Sequence, residues 1–164
     1  MKIGFTGTQR GMTEFQKEKL VEILKLANCK EFSHGDCIGA DEQANWIALF
    51  NGVRFFSIFP PDNPKKRAFV FNSRHIDSVI GRHSIKGIFQ PNGKSKIEYD
   101  CEVVWMPRAP YLERNKHIVD NVSLMIACPK EFRNTLRSGT WATIRYAWHT
   151  KREITIIPPV EREE

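Results

Sequence analysis

One pattern constrains the fold of this chain most strongly: a short apolar stretch runs into a glycine loop and then into a helix. The first unit comprises residues 2–6, the loop 7–11 and a helix that begins after Thr13. The second comprises residues 31–34, the loop 35–39 and a helix that ends at Asn51 and Gly52. Near the end, strands at 124–128 and 154–157 flank the loop 137–140 and a helix over 141–150. Strands that alternate with helices at this spacing predict an α/β fold, a doubly wound, Rossmann-like parallel sheet with helices on both faces.

The middle of the chain departs from this alternation. Residues 53–59 predict another strand and residues 114–122 another helix, but residues 72–108 do not show the alternation of strand and helix. Apolar residues occupy every second position from Ile97 to Trp105, which is typical of a strand with one buried face. The sequence Pro91-Asn92-Gly93 predicts a turn before that strand. We therefore expect a β-hairpin around residues 85–105, within an insertion at about 72–108 that packs on one edge of the sheet.

Charge is distributed unevenly along the chain. The net charge is +6, and residues 54–116 account for all of it, with 12 basic and 6 acidic side chains. A local basic excess indicates an anionic partner, although a solvated lysine-rich region that only confers solubility explains it equally well. The chain has no apolar run of about 18 residues, so we expect no membrane partner. No export signal is recognisable, and the four cysteines lack CxxC spacing, so we expect a cytoplasmic protein without a metal site.

The glycine loops predict where a ligand binds. In an open parallel sheet, ligands bind beyond the carboxyl ends of the strands, and helices that begin there direct N–H groups at an anion. The loops 7–10, 35–36 and 138–140 all follow predicted strands. Their convergence favours a phosphate site, while the alternative is that the glycines only permit tight turns. Neither a GxGxxG nor a Walker A motif is present, which argues against a dinucleotide site and a P-loop.

Each remaining candidate has a structural alternative. Arg10 and Arg114 are candidate phosphate clamps or members of ordinary ion pairs. Asp36 and Asp41 are candidates for binding ribose hydroxyls, and Asn115 for a ribose or base edge, but all three are also helix-capping residue types. Trp141 stacks on a base or packs inside the last helix, and His34 is expected to be structural. The candidate ligand-binding residues are Gly7, Thr8, Gln9, Arg10, Gly35, Asp36, Asp41, Arg114, Asn115, Ser138, Gly139, Thr140 and Trp141.

Four motifs in a fixed order resemble one superfamily. They are Gly4-Phe5-Thr6-Gly7-Thr8-Gln9, His34-Gly35-Asp36-Cys37-Ile38-Gly39-Ala40-Asp41, Arg114-Asn115-Lys116-His117-Ile118-Val119-Asp120 and Ser138-Gly139-Thr140-Trp141-Ala142-Thr143. Together with the closing strand Ile154-Thr155-Ile156-Ile157-Pro158, they resemble the SLOG superfamily, which includes the Rossmann-like domain of DNA-processing protein A and the LOG enzymes. The resemblance implies a single SLOG-like nucleotide-binding domain over residues 1–164, with the insertion at about 72–108.

The resemblance implies different functions in its two branches. LOG enzymes hydrolyse the N-glycosidic bond of nucleoside monophosphates with an arginine and a glutamate. Arg114 matches the arginine, but Ala142 and Thr143 stand where the glutamate is expected. That chemistry needs a carboxylate. Asp36 and Asp41 are possible substitutes, but the missing glutamate favours a binding protein over an enzyme, so we predict no catalytic residue. The Ser-Gly-Thr version of the helix is closer to DNA-processing protein A, which binds single-stranded DNA.

The sequence therefore predicts a stand-alone sensor or sequestering module. Its expected ligand is a nucleotide or a nucleotide-derived molecule, for example a signalling nucleotide, or another phosphate-bearing small molecule. No cofactor is expected. The alternatives are a single-stranded DNA-binding protein like DNA-processing protein A and a nucleoside monophosphate hydrolase. Association into a homo-oligomer is left open.

Overall fold

A computed structural model describes residues 1–75, 80–90 and 96–161. These residues form one seven-stranded sheet with the strand order β4-β5-β3-β2-β1-β6-β7. The strands are β1 (Lys2–Gly7), β2 (Glu31–His34), β3 (Phe55–Ile58), β4 (Gly81–Phe89), β5 (Ile97–Trp105), β6 (Leu124–Cys128) and β7 (Glu153–Ile156). The helices are α1 (Glu14–Leu26), α2 (Ala40–Phe50), α3 (Tyr111–Asn121) and α4 (Gly139–His149). All neighbouring strands are parallel except β4 and β5, so the predicted Rossmann-like α/β fold is confirmed.

Local sequence signals explain where the helices begin. Thr13 and Gln16 form a capping box at α1, and the Gln16 amide also donates to the carbonyl oxygens of Pro129 and Ile157. One side chain therefore fixes α1 to the segments that follow β6 and β7. In contrast to the predicted start at residue 114, α3 begins at Tyr111, directly after Pro110 in an extended conformation. Proline suits the first positions of a helix because its missing N–H needs no partner there.

The sheet buries both faces of β1. Ile3 and Phe5 lie in the large core with residues of α1 and α2, whereas the opposite face of β1 meets α3. At Gly4 a Cβ would lie 2.5 Å from the Met125 sulfur and 3.1 Å from Ile118 Cγ2, so only glycine allows α3 to approach this closely. A fully buried Phe or Ile contributes about 1.5–3 kcal/mol to folding. Helices packed on both sides thus bury the centre of the sheet.

The predicted hairpin is present and lies at one edge of the sheet. β4 and β5 pair antiparallel from Gly81↔Trp105 to Phe89↔Ile97, and β5 pairs parallel with β3. Phe89 stacks on Trp46 of α2 with ring centroids 4.0 Å apart, which anchors the hairpin to the helix. The predicted turn at Pro91-Asn92-Gly93 lies outside the described residues. In the part of the chain that the structure describes, no helix has both the length and the apolar character needed to cross a bilayer.

Candidate functional site

A cleft of about 640 Å3 opens at the carboxyl edge of the sheet, between the β1–α1 loop and the segment that joins β6 to α4. Its wall consists of Gly7, Thr8, Gln9, Arg10, Lys66, Tyr111, Lys130, Glu131, Thr135, Arg137, Ser138, Gly139 and Thr140. A volume of this size is typical of small-ligand sites.

The β1–α1 loop is held from two sides. The Thr8 N–H donates to the Cys128 carbonyl at 3.3 Å, and the Thr8 carbonyl accepts from the Ala40 N–H at 3.0 Å. Gly39 has a φ of 88°, and a Cβ there would lie 2.2 Å from the Gln9 carbonyl oxygen. Only glycine permits both this conformation and this close approach. The loop is therefore fixed in place before any ligand binds.

The opposite wall of the cleft contains the beginning of α4. The Ser138 hydroxyl accepts the Trp141 N–H at 3.2 Å, which caps the helix, and Gly139 and Thr140 line the cleft. At Gly139 a Cβ would lie 2.2 Å from the Tyr111 hydroxyl, so a larger residue would displace that ring. The first N–H groups of a helix lack partners inside it and carry partial positive charge. This wall therefore favours an anion.

Side-chain charge reinforces that preference. The wall holds four basic residues, Arg10, Lys66, Lys130 and Arg137, and one acidic residue, Glu131. Arg145 fixes the loop that carries Lys130 and Arg137, since its guanidinium donates to Asn134 Oδ1 and, at 3.2 Å, to the Thr135 carbonyl. The cleft is thus electropositive and suited to a phosphate.

A second charged group lies at the same edge but is buried. Asp36 accepts from Arg67 Nε at 2.8 Å and from the Val70 N–H at 3.0 Å, and both ionic side chains are almost completely inaccessible. Burial raises the pKa of Asp36, while the Val70 N–H and Arg67 oppose that rise. The Arg67 guanidinium also lies 4.5 Å from the centre of the Phe69 ring. Asp36 therefore binds the segment 67–70 rather than a ribose.

Arg114 and Asp41 complete this buried group. Arg114 donates to the Gly35 carbonyl at 2.8 Å and to Cys37 Sγ at 3.0 Å, and it lies over the Tyr111 ring. Asp41 Oδ2 accepts the Cys37 N–H at 3.2 Å. Burial raises the pKa of Asp41 to about 6, against the lowering effect of the Arg114 charge. Arg114, predicted as a phosphate clamp, is thus 2% exposed, donates hydrogen bonds inside the protein and lies outside the wall of the cleft.

His34 and Asn115 are also buried. His34 Nδ1 accepts the Asp36 N–H at 2.9 Å, so Nε2 carries the proton that is donated to Asn45 Oδ1 at 2.8 Å. Burial lowers the pKa of His34 to about 4, which keeps the ring neutral. His34 is therefore the structural histidine that the sequence predicted. Asn115 is buried one turn beyond Tyr111 and is not part of the wall of the cleft.

Trp141 does not line the cleft, so it is not placed to stack on a base bound there. Its side chain is 5% exposed, and its Nε1 donates to the Glu131 carbonyl at 3.1 Å. The ring contributes to the wall of a second cavity of about 310 Å3 instead of the cleft.

The predicted site residues thus fall into two groups, those that line the cleft and those that lie outside its wall. The cleft contains Gly7, Thr8, Gln9, Arg10, Ser138, Gly139 and Thr140. Six predicted residues lie outside its wall, namely Gly35, Asp36, Asp41, Arg114, Asn115 and Trp141. Six residues that were not predicted line it, namely Lys66, Tyr111, Lys130, Glu131, Thr135 and Arg137.

Among the described residues of 54–116, the basic side chains do not all lie on one surface. Arg82 pairs with Glu102 at 3.0 Å and Lys86 with Asp100 at 3.9 Å on the hairpin, while Arg67 and Arg114 are buried. Lys66 reaches the cleft because its carbonyl accepts the Ile38 N–H at 3.0 Å, which fixes the segment 64–67 beside the β2–α2 loop. The wall of the cleft is therefore formed mainly by strand-end loops outside that region.

Comparison with known proteins supports the fold. No family model matches the chain, and no match was found among curated proteins. The crystal structure of DNA processing protein A (DprA) from Streptococcus pneumoniae superimposes with a TM-score of 0.61 at 19% sequence identity. The match covers 97% of this chain and 50% of that protein, so the chain spans half the length of its structural neighbour. At this identity the likeness concerns the fold: the chain has the Rossmann-like architecture found in a DNA-processing protein.

Proposed function

We propose that the cleft binds a nucleotide or nucleotide-derived ligand through its phosphate, and that residues 1–164 act as one nucleotide-binding domain that senses or sequesters this ligand. Membership of the SLOG superfamily, which the four motifs indicate, is part of the proposal. The observation that carries it is the position of the α4 N-terminus in a wall that holds four cationic side chains.

In the proposed complex, the phosphate lies against the N–H groups of Gly139 and Thr140. Arg137 and Lys130 flank it on the β6–α4 segment, and Arg10 approaches from the β1–α1 loop. A hydrogen bond to a charged group contributes about 1.5–3 kcal/mol. Micromolar affinity corresponds to a binding free energy of about 8 kcal/mol. To reach it, the rest of the ligand must add contacts to two such bonds and the helix N-terminus.

Binding without catalysis fits the positions of the carboxylates that the sequence offered for hydrolysis, and Glu131, the one acidic residue in the wall, is not at the position of the LOG glutamate. Ala142 and Thr143 occupy the positions of the LOG glutamate, and the Thr143 hydroxyl donates to the Gly139 carbonyl at 3.0 Å inside α4. Asp36 and Asp41, the substitutes that the sequence offered, are buried and hydrogen-bonded to backbone N–H groups outside the wall of the cleft. No residue in these positions is available to a substrate in the cleft.

Single-stranded DNA is the second candidate. Lys130 and Arg137 lie in the cleft on one segment, and the exposed Arg133 lies between them, so a backbone with several phosphates has further cations to contact. The likeness of the fold to a DNA-processing protein points in the same direction. The two candidates differ in the number of phosphates that are bound.

Fluorescence anisotropy with labelled GMP and a labelled oligothymidylate, each at three salt concentrations, tests the proposal. We expect GMP to bind with a shallow salt dependence, since each neutralised phosphate of a single strand contributes about −0.7 to the slope of log K against log salt. Arg137→Ala and Lys130→Ala should each weaken binding about 10-fold, the equivalent of one charged hydrogen bond.

Lys25→Ala is the matched control, because Lys25 is exposed in the last turn of α1, at the opposite edge of the sheet. Equal affinities of wild type, Arg137→Ala and Lys130→Ala would contradict a phosphate site in the cleft. Tight oligothymidylate binding with a steep salt slope, weakened by both cleft variants, would establish the second candidate instead.

A further inference from the structure

The second cavity lies beside the cleft and has a different character. Its wall consists of Pro129, Glu131, Phe132, Trp141, Ile156 and Pro158, so two aromatic rings, two prolines and one isoleucine surround it. Glu131 belongs to the walls of both the cavity and the cleft. A site for phosphate and an apolar cavity are therefore neighbours along one short segment of the chain.

Hydrogen bonds fix both sides of this cavity. Gln16 Nε2 donates to the Pro129 carbonyl at 2.8 Å and to the Ile157 carbonyl at 3.0 Å, which holds the ends of β6 and β7 together. The Trp141 Nε1 is already bonded to the Glu131 carbonyl, so the polar atom of the indole has a partner, and the ring, which is 5% exposed, closes the buried side of the cavity. A cavity held in this way needs little reorganisation to accept a flat, apolar group.

We propose that this cavity holds the base of the nucleotide whose phosphate occupies the cleft. The inference rests on the proposed function and specifies its ligand. Base rings stack on aromatic side chains, and Phe132, which is 38% exposed, provides such a surface beside the edge of Trp141. The two cavities share Glu131 and the segment 129–138, so the proposed ligand is one molecule with its phosphate in the cleft and its base in the cavity.

Glu131 selects among the bases. A carboxylate only accepts hydrogen bonds, and it has two oxygens for two parallel donors. Guanine carries two adjacent donors, its N1–H and its exocyclic amino group, whereas the Watson–Crick edge of uracil has a single N–H between two carbonyl oxygens. A purine also has the larger surface for stacking. The chemistry of the cavity therefore points to a guanine nucleotide, either free or as a unit of a strand.

Calorimetric titration with GMP, UMP and ribose 5-phosphate tests this inference without any variant. We expect GMP to bind at least about 5-fold more tightly than ribose 5-phosphate, the lower limit for one base–aromatic stack. GMP should also bind about 10-fold more tightly than UMP, the equivalent of one charged hydrogen bond. Phe132→Ala should remove the higher affinity of GMP relative to ribose 5-phosphate. Glu131→Gln should remove the higher affinity of GMP relative to UMP.

Leu136→Ala is the matched control, because Leu136 lies on the same segment, is 87% exposed and lines neither cavity. Phe132 is 38% exposed, so its truncation is compatible with folding. Equal binding of GMP and ribose 5-phosphate by the wild type would overturn the base site and leave the phosphate site intact. Failure of all three compounds to bind would overturn the proposed function itself.

A short guanine-containing oligonucleotide distinguishes the two sources of the ligand. Tighter binding of GMP identifies a free nucleotide, and tighter binding of the oligonucleotide identifies a strand. Either result supports the inference if Phe132→Ala removes the preference for guanine over uracil or thymine. A preference that Phe132→Ala leaves unchanged would overturn it.

Discussion

The carboxyl edge of the sheet contains two charged regions that the sequence does not distinguish. In the buried ion-pair cluster, Asp36 bonds to Arg67, and Asp41 lies beside Arg114. In the cleft, four basic side chains face one acidic side chain and open space. Both regions follow strand ends, and both contain glycines and arginines.

The difference shows what separates a structural charge from a binding charge. A buried ion loses its hydration and persists only with a partner inside the protein. The cluster has such partners, so its charges are neutralised before any ligand arrives. The cleft has an excess of cations exposed to solvent, and an anionic ligand is the partner that completes it. Variants of the two regions should therefore affect different quantities.

The largest effect is expected in the cluster, on stability. Arg67→Ala leaves the Asp36 carboxylate buried without its ion pair, and removing one partner of a buried pair costs about 3–5 kcal/mol. Urea unfolding should show this loss, while Lys65→Ala, at an exposed neighbour, should change the free energy of unfolding by less than about 0.5 kcal/mol.

A second substitution tests the cause of that loss. Adding Asp36→Asn to Arg67→Ala removes the unpaired charge and should restore part of the stability. Strictly additive losses in the double variant would show that Arg67 stabilises the protein by packing on Phe69 and not by pairing with Asp36.

The next largest effect is the pH dependence of the free energy of unfolding, to which the buried His34 and Asp41 both contribute. The pKa of His34 falls from 6.5 to about 4, so its contribution to stability is lost as pH falls through that window. The pKa of Asp41 rises from 3.8 to about 6, so its protonation stabilises the fold as pH falls through the same range. The two contributions oppose each other between about pH 6 and pH 4.

Asp41→Asn separates them. In this variant the opposing contribution of Asp41 is absent, so acidification from pH 6 to pH 4 should lower the free energy of unfolding more steeply than in the wild type. The difference is up to about 1.4 kcal/mol per pH unit. Urea unfolding at several pH values measures it, and parallel curves for the two proteins would refute the assignment of Asp41.

The smallest effect on stability is expected from the cleft. Arg10 and Arg137 are exposed, so Arg10→Ala and Arg137→Ala should each change the free energy of unfolding by less than about 0.5 kcal/mol. If the cleft is a binding site, removing a cation without a partner even relieves repulsion among its neighbours. A loss above 2 kcal/mol in thermal or urea unfolding, as expected for the cluster, would show that these residues have structural partners as well.

The sequence predicted those parts of the fold that local signals determine. The capping box at Thr13 and Gln16 and the strands at 31–34 and 124–128 match the structure because neighbouring residues specify them. The loop predicted at 138–140 is wrong in part, because α4 begins at Gly139, directly after its cap Ser138. The first turn of α3 was missed because its start depends on Pro110, which the helical pattern does not include.

The composition of the site was less predictable because burial is a tertiary property. Arg10 and Arg114 are the same residue type near strand ends, yet only packing makes one exposed and the other 2% exposed. Lys66 enters the cleft through a backbone bridge between Cys37 and Arg67, which no local pattern indicates. Lys130, in contrast, lies two residues after β6, so its place at the carboxyl edge of the sheet could have been predicted from the sequence.

The central claim is that an anionic ligand binds in the cleft and leaves the buried cluster unchanged. Two-dimensional 1H–15N NMR of the labelled protein during titration with GMP tests it most directly. The account predicts shifts concentrated at the amides of Gly7, Gln9, Gly139 and Thr140, with those of Cys37 and Val70 unchanged. Shifts confined to the hairpin β4–β5 or to the cluster, with the cleft amides unmoved, would contradict it.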